Sequence, residues 1–390
     1  MSGIRRVPVI LHTGERAAAA ETYGFAGGQG TVLEGQLLRT AAEASTLFVF
    51  MHPTSTLHLM PMPEALAARG HHVLCAASRY PKNDASLIME KVLLDLGAWI
   101  RWARGPAGYR TVVLAGWSGG GSLSLYYQAE AEDPRVTHTP AGDPVDVAGA
   151  GLSPADAVVF IAAHLSRAET LTEWMDPSVI DESDPDRRDP ELDIYAPSAT
   201  HTPPFDAGFV QRFRAAQRAR NERITTWAIG ELDRLRAAGG AEVERPFIVH
   251  RTMCDVRWLD PAIDPNDRRP GWTYMGDPRT VNVGPVGLAR FTTLRSWLSQ
   301  WSLSHSRARG AANAARITRT PVLQIENSAD DAVPATHNRV VRDALGTPDA
   351  TYHLVRGATH YYKGQPEHLD ECLDVIESWC RERGLLRAAR

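Results

Sequence analysis

Six strand-like runs fall within the first 163 residues, and they constrain the chain more than any other feature. They are VPVIL over 7–11, TVLEGQLL over 31–38, TLFVFM over 46–51, HVLCAA over 72–77, TVVLAG over 111–116 and AVVFIAA over 157–163. Several are apolar from end to end and rich in β-branched residues. A strand without polar alternation is one buried on both faces, as parallel strands are when helices cover each side of the sheet. Helical patterns lie between the runs. The clearest is SLIMEKVLLDLGAWIRWARG over 86–105, which closes on a glycine. Strand and helix in alternation predict an α/β fold with a mostly parallel central sheet and helices on both faces.

The alternation stops near residue 164. From there to about 315 the chain is rich in Asp, Pro and Arg, and its main patterns are helical, over 208–238 and 287–304. Within the second, Leu294, Trp297, Leu298 and Trp301 fall on one stripe, which reads as core. The sheet pattern then resumes with a strand over 321–326, a helix near 335–345, a strand over 351–355 and a last helix over 367–384. The simplest organisation is one core made of 1–163 and 316–390, interrupted by a mainly helical cap insertion over 164–315. No internal repeat or low-complexity tract is present.

At 390 residues, 43% hydrophobic and 23% charged, the chain has the composition of a soluble globular protein. A net charge of −4 argues against a nucleic-acid or membrane-surface partner, since either needs a basic face. The amino-terminal stretch lacks the long apolar segment of a signal peptide, so a cytoplasmic location is expected. Cys75, Cys254, Cys372 and Cys380 show no CxxC spacing. They read as buried free thiols, and no disulfide framework, metal site or organic cofactor is expected. Oligomeric state is not legible, and a homo-oligomer stays open.

The chemistry centres on TVVLAGWSGGGSLSLYY over 111–127, where a strand runs into G-x-S-x-G and then a helical pattern. Such a turn is sharp enough to expose the serine oxygen above the carboxyl edge of a sheet, and small residues at Gly116 and Gly120 make room for it. It also sets the Gly119 amide at a helix start, where it can face an oxyanion. A serine hydroxyl needs a base and an orienting acid to act as a nucleophile. Two later strands run into loops that supply them: PVLQIENSADDAVP over 321–334 and TYHLVRGATHYY over 351–362. Ser118, Asp330 and His360 then stand in the order serine, acid, histidine, each at a strand's carboxyl end.

On these motifs the chain resembles the α/β-hydrolase superfamily over most of 1–163 and 316–390. The resemblance implies a nucleophile, acid and base at Ser118, Asp330 and His360. The acid turn of that superfamily often reads G-x-x-D-x-x-V-P. Here it reads NSADDAVP, with Asn327 in the glycine's place, and counting from Pro334 selects Asp330 over Asp331. Asp331 reads as the N-cap of the following helix. His353, within a strand, and His368, on the last helix, do not fit the base position. The superfamily often carries His-Gly after the strand equivalent to 46–51, and this chain has HPTST over 52–56. Pro53 has no N–H, so Thr54 is expected to give the second oxyanion donor beside Gly119, with Ser55 behind it and His52 bracing the loop.

Near the same rim, Arg79 and Asp84 read as an ion pair. The insertion arginines Arg251, Arg257, Arg290 and Arg295 leave a carboxylate-bearing substrate open. The expected activity is hydrolysis of an ester, or a similarly activated carbonyl of a small organic molecule, through an acyl-enzyme. Carbon–carbon, lactone or amide hydrolysis and acyl transfer use the same constellation. A non-catalytic ligand-binding protein and an assembly module on the same scaffold remain readings of a different class.

Overall fold

The computed structural model describes residues 3–16, 30–285 and 287–386. In chain order its elements begin with β1 (Arg5–Arg16), β2 (Gly30–Arg39), β3 (Thr46–Met51), α1 (Pro61–Ala68), β4 (His72–Ala76) and α2 (Met89–Arg104). Next come β5 (Thr111–Ser118), α3 (Gly119–Glu132), β6 (Ala157–Ala163), α4 (Arg167–Trp174) and α5 (Ala207–Ala238). The stretch after it holds β7 (Pro246–Ile248), α6 (Val256–Leu259), α7 (Pro278–Val283), β8 (Phe291–Thr293), α8 (Leu294–Ser296) and α9 (Gly310–Ala314). The chain ends with β9 (Val322–Asn327), α10 (Ala335–Ala344), β10 (Ala350–Val355) and α11 (Pro366–Glu382).

Eight strands form one sheet in the order β1-β2-β4-β3-β5-β6-β9-β10. The β1–β2 and β2–β4 pairs are antiparallel and every other pair is parallel. The central strands β3, β4 and β6 are buried at every position, and apart from Thr46 and His72 at their starts they are apolar throughout. Two apolar layers sandwich the sheet. One packs Leu93, Leu96 and Trp99 of α2 and Leu123 and Tyr127 of α3 on one face. The other packs Met62 and Leu66 of α1 with Leu373, Ile376 and Trp379 of α11 on the opposite face.

Between β6 and β9 the chain builds a separate apolar cluster. Leu171 and Met175, Ile224 and Leu232 of α5, and Leu294, Trp297, Leu298 and Trp301 all belong to it. The stripe of residues 294–301 is therefore core, but not on the single helix that its spacing predicts. Phe291–Thr293 instead pairs antiparallel with Pro246–Ile248, and Trp297–Trp301 forms a π-helical turn. Two threonines favour the extended backbone there, and a strand partner more than 40 positions earlier in the chain (Phe291↔Ile248 to Thr293↔Pro246) lies beyond any local pattern.

This segment is tied to the core by a buried polar knot. Ser299 Oγ donates to Glu90 Oε2 at 2.7 Å and accepts the Met89 amide at 2.8 Å, while Tyr126 donates to Glu90 Oε1 at 3.1 Å. All four cysteines are buried and unpaired. No helix among the described residues is long and apolar enough to cross a membrane.

Candidate active site

Ser118 closes β5 in a conformation that few non-glycine residues adopt, φ 53° and ψ −125°, and α3 begins at the next residue. The turn is held by close approach. A Cβ on Gly120 would stand 2.5 Å from the Met51 carbonyl oxygen, and one on Gly121 would stand 2.4 Å from the Ala163 Cβ. Both contacts are far inside van der Waals range, so side chains there would push α3 off β3 and β6.

His360, in the loop after β10, lies between Ser118 and Asp330. Its Nδ1 is 2.9 and 3.1 Å from the two Asp330 carboxylate oxygens, and its Nε2 is 3.0 Å from Ser118 Oγ. Both His360 and Asp330 are buried. Asp330 Oδ1 also accepts the amides of Ala332 and Val333 at 2.7 and 2.8 Å, which fixes the carboxylate in the turn after β9. A carboxylate accepts, so Nδ1–H donates to Asp330 while keeping its proton, and Nε2 is left free to accept from the serine hydroxyl. Asn327, where a glycine is common, links the two loops. Its amide donates to the Thr359 carbonyl at 2.9 Å and accepts from Tyr362 at 2.7 Å. His353 pairs with Glu371 at 2.9 Å and His368 lies against Gly357, so neither takes the base position.

Asp331 does not cap α10. The N-cap position is Pro334, which makes no side-chain cap. Asp264 from the insertion takes that role, accepting the Thr336 amide at 3.2 Å. Burial, reinforced by the charge of Asp330 and opposed by His360, pushes the Asp331 carboxyl up to about 6. The folded protein thus holds a proton that the unfolded chain releases near the ordinary carboxyl value of 3.8, and that contribution to stability fades as pH rises from there through about 6. Asp331→Asn is expected to match the parent near pH 4 and to exceed it above pH 7 by roughly 1–2 kcal/mol, the shift discounted for partial exposure. Urea denaturation at both pH values measures it; equal stabilities above pH 7 would remove the burial argument.

The Thr54 amide, expected as the second oxyanion donor, has a partner in the ring of His52. It donates to His52 Nδ1 at 3.2 Å, and the Ser55 amide donates to the same nitrogen at 3.0 Å. The short 52–56 loop turns its backbone inward around the ring, and the neighbouring loop pins it. Ser78 Oγ donates to the Pro53 carbonyl at 2.5 Å and the Lys82 amide donates to the Thr54 carbonyl at 2.6 Å. A cleft of about 390 Å³ opens beside this loop, lined in part by Thr54, Ser55, Lys82, Asp84, Met275 and Leu288.

Arg79 does not pair with Asp84. Its guanidinium meets Asp95 of α2 at 2.7 Å, and Asp84 takes Arg167 at 3.2 Å. The insertion arginines are committed to protein groups. Arg251 pairs with Asp176 at 2.5 Å, Arg257 with Asp255 and Glu173 at 2.5 Å each, and Arg295 with Asp143 at 2.8 Å. Arg290 donates to backbone carbonyls, among them Val281 at 2.6 Å and Asn282 at 3.0 Å.

Two residues that the sequence reading did not single out, His164 and Tyr274, stand near the triad, and Arg167 lies within electrostatic reach of both and of His52. The ring of His164, just past β6, is 6.2 Å from that of His360, and its amide donates to the Ser118 carbonyl at 2.9 Å. Burial, joined by the charge of His360, drives His164 well below its ordinary value, so the ring is neutral. Arg167 stacks on Trp301 at 4.5 Å and donates to Gln300 at 2.9 Å. Tyr274, from the insertion, brings its ring 5.8 Å from His360, and burial raises its phenol above the usual range. His164 and Arg167 were within reach of one rule: residues just past the carboxyl end of a strand beside the serine strand border the site. Tyr274 carries no such signal.

Among the solved structures that resemble this chain, two illustrate the likeness. One is the α/β-hydrolase GrgF from Penicillium sp. sh18, at 13% identity over 97% of this chain and 98% of the other, with a TM-score of 0.53. The second is DcsB, solved in complex with its substrate analogue, at 14% identity over 90% and 96% of the two chains, with a TM-score of 0.51. No protein-family model and no curated protein matches the sequence. At such identities the likeness is one of fold, and the fold is that of the α/β-hydrolases.

Proposed function

We propose that this α/β-hydrolase fold carries a serine hydrolase that cleaves an ester, or a similarly activated carbonyl, of a small organic substrate. The observation that carries the reading is the unbroken relay from Asp330 through His360 to Ser118, at 2.9 and 3.0 Å, on a serine held at φ 53°. His360 takes the hydroxyl proton as Ser118 Oγ attacks the carbonyl carbon. The tetrahedral oxyanion is met by the Gly119 amide at the start of α3. His360 then protonates the leaving group, and the acyl chain stays on Ser118. Water, deprotonated by His360, attacks the acyl-enzyme and releases the acid, returning the proton to Ser118. Asp330 holds the ring in one tautomer and stabilises its cationic form throughout. Every step uses the chain's own groups and water.

An active-site-directed phosphonate tests the reading. It is expected to form one covalent adduct, located on Ser118 by peptide mass spectrometry, and to stop turnover of a short-chain ester. An unmodified Ser118 after prolonged exposure would favour a binding protein on the same fold. A panel of esters, lactones, amides and a diketone then separates the bond types.

A further inference from the structure

His52 follows β3 directly, and its ring is oriented by the backbone it precedes. Two amide protons, from Thr54 at 3.2 Å and Ser55 at 3.0 Å, point at Nδ1. A ring nitrogen that accepts carries no proton, so the neutral imidazole bears its proton on Nε2. Burial, with the charges of Arg167 and His360 adding to it, pushes His52 down to about 3. The ring is therefore a neutral donor at every pH near neutrality. Its Nε2 makes no hydrogen bond to another described residue.

That nitrogen is pressed against the residue after the nucleophile. A Cβ on Gly119 would stand 2.4 Å from His52 Nε2 and 3.2 Å from Cε1. Gly119 does not need glycine for its dihedrals, since it is not among the positive-φ residues. It needs glycine because the imidazole occupies the space where a side chain would start. The Gly119 amide and the Nε2 proton are thus neighbours at the foot of Ser118, while the Thr54 amide is spent on holding the ring.

We propose that His52 Nε2–H is the second oxyanion donor, a side-chain group standing in for the Thr54 backbone amide. This rests on the triad reading above. A neutral imidazole donor fixed by two amides is already oriented before charge develops on the carbonyl oxygen, which is the condition for stabilising the transition state more than the ground state.

The experiment compares His52→Phe, His52→Ala and His52→Gln on an activated ester, with the phosphonate adduct on wild-type Ser118 established first. Phe fills the ring's volume without a donor, and Gln restores an N–H at similar reach. The expected result is a fall in kcat of about 10² to 10³-fold for Phe and Ala, with KM changed by less than about threefold. Gln should recover to within about tenfold of wild type. The pH midpoints of kcat/KM should stay in place, because a neutral donor titrates outside the working range; a second base would move a limb of the profile. Wild-type kcat in His52→Phe, or a loss in it that Gln does not relieve, overturns the proposal for His52 and leaves the triad standing. Wild-type protein with no adduct and no turnover overturns both.

Discussion

Alanine in place of Ser118 is expected to lower ester turnover by about 10⁶-fold, to the level that binding and the oxyanion site sustain alone. The effect is this large because the other groups act only through the nucleophile: His360 then has no proton to take and Asp330 no imidazolium to stabilise. The fold should survive. The Ser118 side chain is joined to the protein by its hydrogen bond to His360 Nε2, and the elbow is shaped by backbone packing at Gly120 and Gly121, which the substitution leaves alone. Circular dichroism and thermal melting should therefore match the parent while kcat collapses. A residual kcat within tenfold of the parent would place the nucleophile elsewhere.

On stability, the largest single effect is expected from Asp95→Ala, at about 3–5 kcal/mol. Arg79 and Asp95 are sealed between the loop after β4 and helix α2, with side-chain exposures of 1% and 0%. One carboxylate accepts the Arg79 Nη2 proton at 2.7 Å, its Nε proton at 3.1 Å, and the Arg79 backbone amide at 2.9 Å. Removing it takes from a buried cation and a buried amide the carboxylate that accepts from both, which costs far more than the pair is worth when intact. Replacing both residues, Arg79→Met with Asp95→Leu, should return part of the loss, because the guanidinium and the carboxylate are then removed together. Denaturant titration of the single and double variants measures this; a loss under about 1 kcal/mol in the single variant would mean that water reaches the site. Activity should fall along with stability in Asp95→Ala, since the same loop supplies Ser78 and Lys82 to brace the backbone around His52.

The sheet was legible because its strands advertise themselves. Runs over 46–51 and 157–163 are buried at every position, and no helix face explains such a pattern. Long amphipathic helices were legible for the same reason, as α5 and α11 show. The segment 287–304 failed because its apolar stripe satisfies helical spacing while Phe291–Thr293 join a strand more than 40 positions away. Period reports which side chains face inward, and it does not report which backbone partner is available.

The candidate site divides along the same line. Ser118, Asp330 and His360 each sit in a local strand-to-loop signature, so their order could be read from the chain although 242 residues separate the serine from the histidine. Donor direction could not be read. Whether the Thr54 amide faces an oxyanion or a ring depends on how five residues fold around His52. The partners of Arg79, Asp84, Arg257 and Arg295 were equally hidden, because a charge pairs with whatever the packed chain brings near it. The sheet and the strand-to-helix elbow, and the expectation of Ser118, Asp330 and His360 as a group, came from the chain alone, since each is written in contiguous residues whose sterics and polarity act locally. That the Thr54 amide meets the His52 ring, and that Arg79, Arg257 and Arg295 already have carboxylate partners, emerged from the folded chain alone, because those contacts join segments that no local preference couples.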